Sequence, residues 1–221
     1  MNVGEFFDSA YSRYDRYWWR TDLRHSIDPL HHSTSLLTQA LLRLIEGRAP
    51  GRALDLGAGE GADTIRLALL GYQVDAVDIS STGVEKIEKF ASAEGVSHKV
   101  TVHRADVREY APAHSYDIII SNGLLHYIAD KIPVIELMRD ATAPKGLNVV
   151  SLWSKYTAPP ACHDIVPVYP DDENGVVTTL YEDWPKELLY FERDKPESAH
   201  SDLPEHRHSH IKMIARRPVR L

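Results

Sequence analysis

The chain has 221 residues, 43% of them hydrophobic, and a formal net charge of −7 at pH 7. This length supports one core of ordinary depth, no apolar run is long enough to span a bilayer, and the negative balance argues against nucleic-acid backbones, which need clustered Lys and Arg. The opening residues lack the basic start and apolar stretch of a secretion signal, so the sequence predicts a cytoplasmic protein that acts on small molecules, with no membrane or nucleic-acid partner. A single cysteine, Cys162, excludes an intramolecular disulfide.

In chain order, "EFFDSAYSRYDRYWWR" spaces Phe7, Tyr11, Tyr14 and Trp18 as one aromatic stripe on a helix. A second helix is predicted from about Ser33 through Glu46. "RALDLG" then reads as a strand, "GADTIRLALLG" as a helix that stops at Gly71, and "YQVDAVDIS" as a second strand. "STGVEKIEKFASAEG" is a helix capped by Ser80 or Ser81 and stopped by Gly95. "KVTVHRAD" and "SYDIIISNG" follow as strands, "DKIPVIELMRDATAP" as a helix and "GLNVVSLWS" as a fifth strand. That alternation predicts a parallel sheet with helices on both faces. About residues 156–175 form an inserted loop rich in Pro and polar residues, and "VVTTLYEDW" reads as a short helix. "KELLYFERD" and "HRHSHIKMIARR" read as two antiparallel strands that finish the sheet, with "KPESAHSDLPE" as the loop between them.

The chemistry is concentrated where the first strand turns into its helix. Glycines there let backbone amides approach a ligand at the edge where open α/β sheets bind cofactors. A dinucleotide fingerprint is G-x-G-x-x-G, whereas Gly57, Gly59 and Gly61 give G-x-G-x-G, with Asp55 just ahead of them. A carboxylate at Asp55 would repel a pyrophosphate but suits the ammonium group of S-adenosylmethionine (SAM). Asp78, ending the second strand, is placed to accept from two ribose hydroxyls. Asp106, ending the third, is placed to accept from an adenine amino group. Asn122, Gly123, His126 and Tyr127 follow the fourth strand, where a transferable methyl group would face its acceptor.

Over about residues 50–155 the chain resembles the class I SAM-dependent methyltransferases, on "LDLGAGEG", "VDAVDIS", "RADV" and "YDIIISNGLLHYI" in that family's order and spacing. The resemblance implies an α/β, Rossmann-like fold: a seven-stranded, mostly parallel sheet with the last strand antiparallel, helices on both faces and SAM as cofactor. It places Gly57, Ala58 and Gly59 against the methionine portion, Asp78 on the ribose, Ile79 beside adenine, and Asp106 with Val107 at the adenine edge. Residues 1–48 then form an N-terminal helical cap, a substrate lid, ahead of a SAM-binding domain over 49–221. A narrower resemblance, on "LALLGYQVDAVDIS", "CHDIVPVYPDDENGVVTTLYEDWPKELLYFERD" and "HIKMIARR", is to the tellurite-resistance (TehB-like) methyltransferases. It implies an active-site role for His200, although Ser201 stands where that group usually has Arg, and the long aromatic N-terminus departs from the group; the acceptor stays open between an organic nitrogen, oxygen or sulfur nucleophile and a selenite- or tellurite-like oxyanion.

Several readings stay open at this level. The N-terminal stripe serves either packing or a lid; Tyr14, Tyr17 and Trp18 offer aromatic faces to a sulfonium, while Arg13 or Arg20 could pair with the cofactor carboxylate. With Tyr127, Tyr14 and Trp18 are the substrate-side candidates, and His126 and His200 are the candidate bases for an amine or hydroxyl acceptor. His206, His208 and His210 share one strand face, but no carboxylate is anchored to them by spacing, and an edge strand facing solvent accounts for them without a metal. The competing function is a SAM-binding partner or sensor without catalysis.

Overall fold

The computed structural model describes residues 2–16, 35–160, 165–197 and 204–219. Tyr17, Trp18, Arg20, Cys162, His200 and Ser201 lie outside the described residues. Seven strands, β1 (Arg52–Leu56), β2 (Gln73–Asp78), β3 (Val100–Arg104), β4 (Tyr116–Asn122), β5 (Thr142–Trp153), β6 (Lys186–Glu197) and β7 (His206–Arg216), form one sheet in the order β3-β2-β1-β4-β5-β7-β6. The first five pair in parallel, and β7 runs antiparallel to both β5 and β6. No helix among the described residues is long and apolar enough to cross a membrane.

Successive side chains of a strand point to opposite faces, so a strand covered on both sides must be apolar at consecutive positions. The central strands satisfy this. Ala53, Ile118, Ile120 and Val149 belong to a core shared with α2 (Leu36–Ile45), α3 (Ala62–Leu69) and α4 (Ser81–Ala93). Their neighbours Leu54, Ile119 and Val150 belong to a second core with α5 (Ile132–Ala141) and Val177 of α6 (Val176–Leu180). Leu37, Leu41, Leu42 and Ile45 make α2 a layer of the first core, leaving α1 (Val3–Arg13) as the helix near the cavity.

Several element boundaries differ from the sequence pattern. α1 stops at Arg13, and Tyr14 is extended (φ −129°, ψ 143°), because Lys86 and Lys89 of α4 draw the Tyr14 carbonyl and the Asp15 carboxylate along α4 instead. Tyr14 therefore leaves the helical stripe. α5 ends at Ala141 and β5 begins at Thr142, earlier than Gly146. β6 continues through Pro196 to Glu197, which the composition had suggested as loop; Pro is tolerated because β6 lies at the sheet edge.

Asp8 fixes α1 on the start of α4. Its carboxylate accepts from Ser80 Oγ (2.6 Å), Ser81 Oγ (3.1 Å) and the Thr82 amide (3.0 Å), while Ser80 Oγ accepts from the Gly83 amide (3.0 Å). Burial pushes this carboxyl up, but the hydrogen bonds from Ser80, Thr82 and Ser81 outweigh it and hold it below its ordinary 3.8. The folded value is the lower one, so this anchoring is present above about pH 4 and fades as pH falls through the folded value. Asp8→Ala is expected to cost about 1 kcal/mol at the start of α4 and to speed amide exchange of residues 3–13, with β1 and β4 still protected. Unchanged exchange in residues 3–13 would contradict this anchoring role.

Candidate active site

The loop from β1 into α3 lies at the carboxyl end of the parallel strands, where the order reverses between β2-β1 and β4-β5. Gly57 and Gly59 sit at φ +70° and +55°, which side chains disfavour. Space is limited as well: a Cβ on Gly59 would lie 2.7 Å from the Tyr11 hydroxyl, and one on Gly57 2.9 Å from Leu124. The amides of Gly57 and Ala58 donate to the Val77 carbonyl (2.9 and 3.0 Å). Asp78 completes the turn, accepting from the Gly59 amide (2.7 Å) on one carboxylate oxygen and from the Ser80 amide (2.8 Å) on the other.

This loop forms one wall of a cavity of about 650 Å³. The same cavity is lined by Asp55, Gly57, Ala58, Gly59, Asp78, Ile79, Asp106, Val107 and Asn122, and by Tyr14, His126 and Tyr127 on the acceptor side. Every predicted site residue within the described part of the chain therefore borders one space. Asn122 and Asp106 are tied to neighbours in the lining. Asn122 Nδ2 donates to Asp63 (3.0 Å) across the switch point, and Asp106 accepts from the backbone amide (2.9 Å) and Nε (2.9 Å) of Arg108.

Among the described residues, six carboxylates, on Asp55, Glu60, Asp63, Asp78, Asp106 and Glu197, line the cavity against two guanidinium groups, on Arg13 and Arg108. Burial, with Asp63 beside it, pushes Asp55 up to about 7, although the Thr64 hydroxyl donates to it (2.6 Å). Burial also raises Asp78, against the pull of the Ser80 and Gly59 amides. Asp106 goes the other way, held below its usual range by the Arg108 side chain. A buried anionic end of this kind calls for a cationic ligand. An ammonium beside Asp55 and Asp63, ribose hydroxyls on the remaining lone pairs of Asp78, and an adenine between Ile79 and Val107 fit these donors and acceptors.

The opposite wall is aromatic. His126 stacks on Trp153 (4.5 Å between centroids, 4° between planes), Trp153 stacks on His208 (4.4 Å, 26°), and Tyr127 meets Phe7 of α1 edge-on (5.3 Å). The Trp153 amide lies 3.4 Å from His126 Nδ1 and donates to it, which puts the proton of the neutral ring on Nε2. The inserted loop supports this wall, since the Tyr169 amide donates to the His126 carbonyl (2.6 Å). His206 and His208 are buried, which corrects the solvent-facing edge reading: β7 is an interior strand between β5 and β6. His210 faces Glu192 (3.3 Å) and is lowered to about 4 by burial and by Lys212.

Among the cavity residues, Asp63, Trp153 and Glu197 were not singled out by sequence pattern, nor was the place that Tyr11 takes. Trp153 ends β5, a position that the strand-end rule applied to Asp78 and Asp106 could have found, whereas Asp63 lies in the first turn of α3, where that rule does not look. Tyr11 belongs to the aromatic stripe, but nothing local in sequence says that its hydroxyl reaches Gly59. Glu197 was hidden in a segment whose composition reads as loop.

Residues 31–213 match the family model described as tellurite resistance protein TehB. Among curated proteins, "Hemagglutinin 1" of Eikenella corrodens is 29% identical over 163 residues, which are 73% of this chain and 52% of that one. The "Ubiquinone biosynthesis O-methyltransferase" of Vibrio cholerae is 29% identical over 131 residues, 58% of this chain and 52% of that one. The chain thus spans about half the length of the curated relatives it matches. In solved structures, TehB from Haemophilus influenzae superposes with a TM-score of 0.66 at 19% identity, covering 80% of this chain and 61% of that one. N-methyltransferase NodS from Bradyrhizobium japonicum WM9, in complex with S-adenosyl-L-homocysteine, superposes with a TM-score of 0.63 at 17% identity, covering 99% of this chain and all 100% of that one. Taken with the seven-stranded sheet and the anionic glycine-loop cavity, the family match over most of the chain means that it belongs to the TehB family, within the class I SAM-dependent methyltransferases.

Proposed function

We propose that this protein transfers a methyl group from SAM to a small-molecule acceptor in the cytoplasm. The observation that carries the reading is the single cavity that joins the anionic glycine-loop end to the aromatic His126–Trp153 wall. When bound, SAM supplies an electrophilic methyl group on a sulfonium centre. In this reading Asp55 and Asp63 face the ammonium group, Asp78 accepts from the ribose, Ile79 and Val107 hold the adenine, and Asp106 accepts from its amino group. The faces of Phe7, Tyr11 and Tyr127 suit a sulfonium, since aromatic rings attract cations.

The chain's own contribution is alignment and exclusion of water, effects that supply roughly 7 to 11 kcal/mol when geometry is well held. α1, pinned by Asp8 and reaching Tyr127 through Phe7, acts as the lid over the acceptor end. His126, with Nδ1 accepting from the Trp153 amide and its ring stacked on Trp153, helps to position an acceptor at the aromatic wall. At the acceptor end the stacked rings and Glu197 favour an organic nitrogen, oxygen or sulfur nucleophile over a selenite- or tellurite-like oxyanion.

Methyl-labelled SAM incubated with a panel of thiols, amines, phenols, selenite and tellurite should deliver label to an organic member of the panel. Label that never leaves SAM in any mixture would make the protein a binding or sensing module instead. Asp78→Ala is expected to abolish S-adenosylhomocysteine binding by calorimetry, because the loop and the ribose lose the same carboxylate; unchanged affinity would sink the cofactor assignment.

Asp55 gives the reading a pH signature. Its folded value lies above its unfolded one, so it favours the unliganded fold fully below about pH 4 and loses that contribution as pH rises through about 7. The ionised form created above that point is the one that binds ammonium. Affinity for S-adenosylhomocysteine should therefore rise about ten-fold between pH 6 and pH 8. Asp55→Asn should flatten that rise and stabilise the unliganded protein at pH 8 in thermal unfolding. The same slope in the variant and the parent would exclude Asp55 as its cause.

A further inference from the structure

Two strands bring metal-ligating side chains together at the acceptor end of the cavity. Glu197 of β6 stands directly opposite His206 of β7 in the antiparallel register, and His208 lies two residues further along β7. All three side chains therefore leave the sheet on one side. Glu197 Oε2 is 3.5 Å from His206 Nε2 and 3.9 Å from His208 Nε2. The three ligand atoms lie within 4.8 Å of one another, the one such group of His, Cys, Asp or Glu among the described residues. Ligands about 2.1 Å from a shared tetrahedral ion are roughly 3.4 Å apart, so the cluster is close to ligating geometry without a backbone shift.

The hydrogen bonding of His206 points the same way. His206 Nδ1 lies 2.6 Å from the Pro204 carbonyl oxygen. A carbonyl can only accept, so Nδ1 carries a proton and Nε2 is the atom turned toward Glu197. A carboxylate oxygen and an imidazole nitrogen, both able to ligate a metal ion, thus face each other at 3.5 Å. An imidazole whose second nitrogen donates to a backbone carbonyl is the usual state of a metal-bound histidine. Trp153, stacked on His208, fixes the plane of the second ring. The two imidazoles retain 4% and 5% side-chain exposure and Glu197 30%, so the cluster is sheltered but open on one side. The nearby cations Lys195 and Arg207 pair with Glu192 and Asp194 instead.

We propose that Glu197, His206 and His208 hold one divalent transition-metal ion of the Zn²⁺ type, with an open coordination position facing the cavity. Two histidines and one carboxylate suit such an ion, and three protein ligands with a vacant fourth place are the pattern of catalytic rather than structural sites. Glu197 and His208 line the same cavity as His126 and Trp153, so the open position looks onto the acceptor end. There it takes a nitrogen, oxygen or sulfur donor of the acceptor; that second role rests on the methyltransferase reading, whereas metal binding itself does not.

Cobalt tests the site, because bound Co²⁺ is visible by its d–d absorption. Full-length, untagged protein titrated with Co²⁺ is expected to bind one equivalent with a d–d band of low coordination number, bleached by added Zn²⁺. Glu197→Gln, which preserves shape, and His208→Ala should each weaken Co²⁺ binding by about ten-fold or more. Absence of the band, or a band of equal affinity in the parent and in Glu197→Gln, overturns the proposal. Calorimetry with S-adenosylhomocysteine on the same samples separates the two readings. Cofactor binding without the cobalt band removes the metal site alone, and the band without cofactor binding removes the methyltransferase reading alone.

Discussion

The hydrogen bond from the Gly59 amide to the Asp78 carboxylate, 2.7 Å long, holds the structure's working end together. It joins the tip of the β1–α3 loop to the end of β2 and so fixes where the glycines expose their backbone. The same carboxylate accepts from Ser80, the residue that caps α4 and donates to Asp8 of α1. One buried acid thus links the cofactor loop, the start of a core helix and the N-terminal helix above the cavity. Desolvation of this kind is costly unless the charge is hydrogen-bonded, and here two backbone amides supply the compensation.

The cavity built around that acid is electrically asymmetric. Asp55 and Asp63 crowd one end, where burial and mutual repulsion leave Asp55 poised near neutrality. A ligand carrying an ammonium and a sulfonium relieves that repulsion, and the field favours it before any contact forms. The other end is walled by stacked rings from four elements: Phe7 from α1, His126 and Tyr127 from the turn after β4, Trp153 from β5 and His208 from β7. These rings hold one another in place, and shape at that end is set by packing rather than by charge.

β7 has a role beyond closing the sheet. Because it runs antiparallel between β5 and β6, its alternate residues deliver His206 and His208 to the acceptor end while Ile211 and Met213 fill the core. The same strand therefore serves stability at one end and candidate chemistry at the other. The edge position of β6 is what allows Pro196 within a strand and carries Glu197 far enough to meet them.

The sequence by itself determined the sheet class, the glycine loop and the acids at the strand ends. Each of these is a local matter: apolar runs of strand length, glycines at left-handed positions, and a carboxylate on the last residue of a strand, all readable within about ten residues. Tertiary structure alone decided the rest. Asp8 meets Ser80 across 72 positions in the chain, Tyr11 reaches Gly59 only once α1 has docked, and Trp153 faces His126 because the turn after β4 folds back against β5. Glu197 joins the histidines through cross-strand register, which no spacing along one strand encodes. Local pattern specified the glycine-loop end of the cavity and the His126–Tyr127 turn, and long-range packing brought Phe7, Trp153, His208 and Glu197 to the aromatic end.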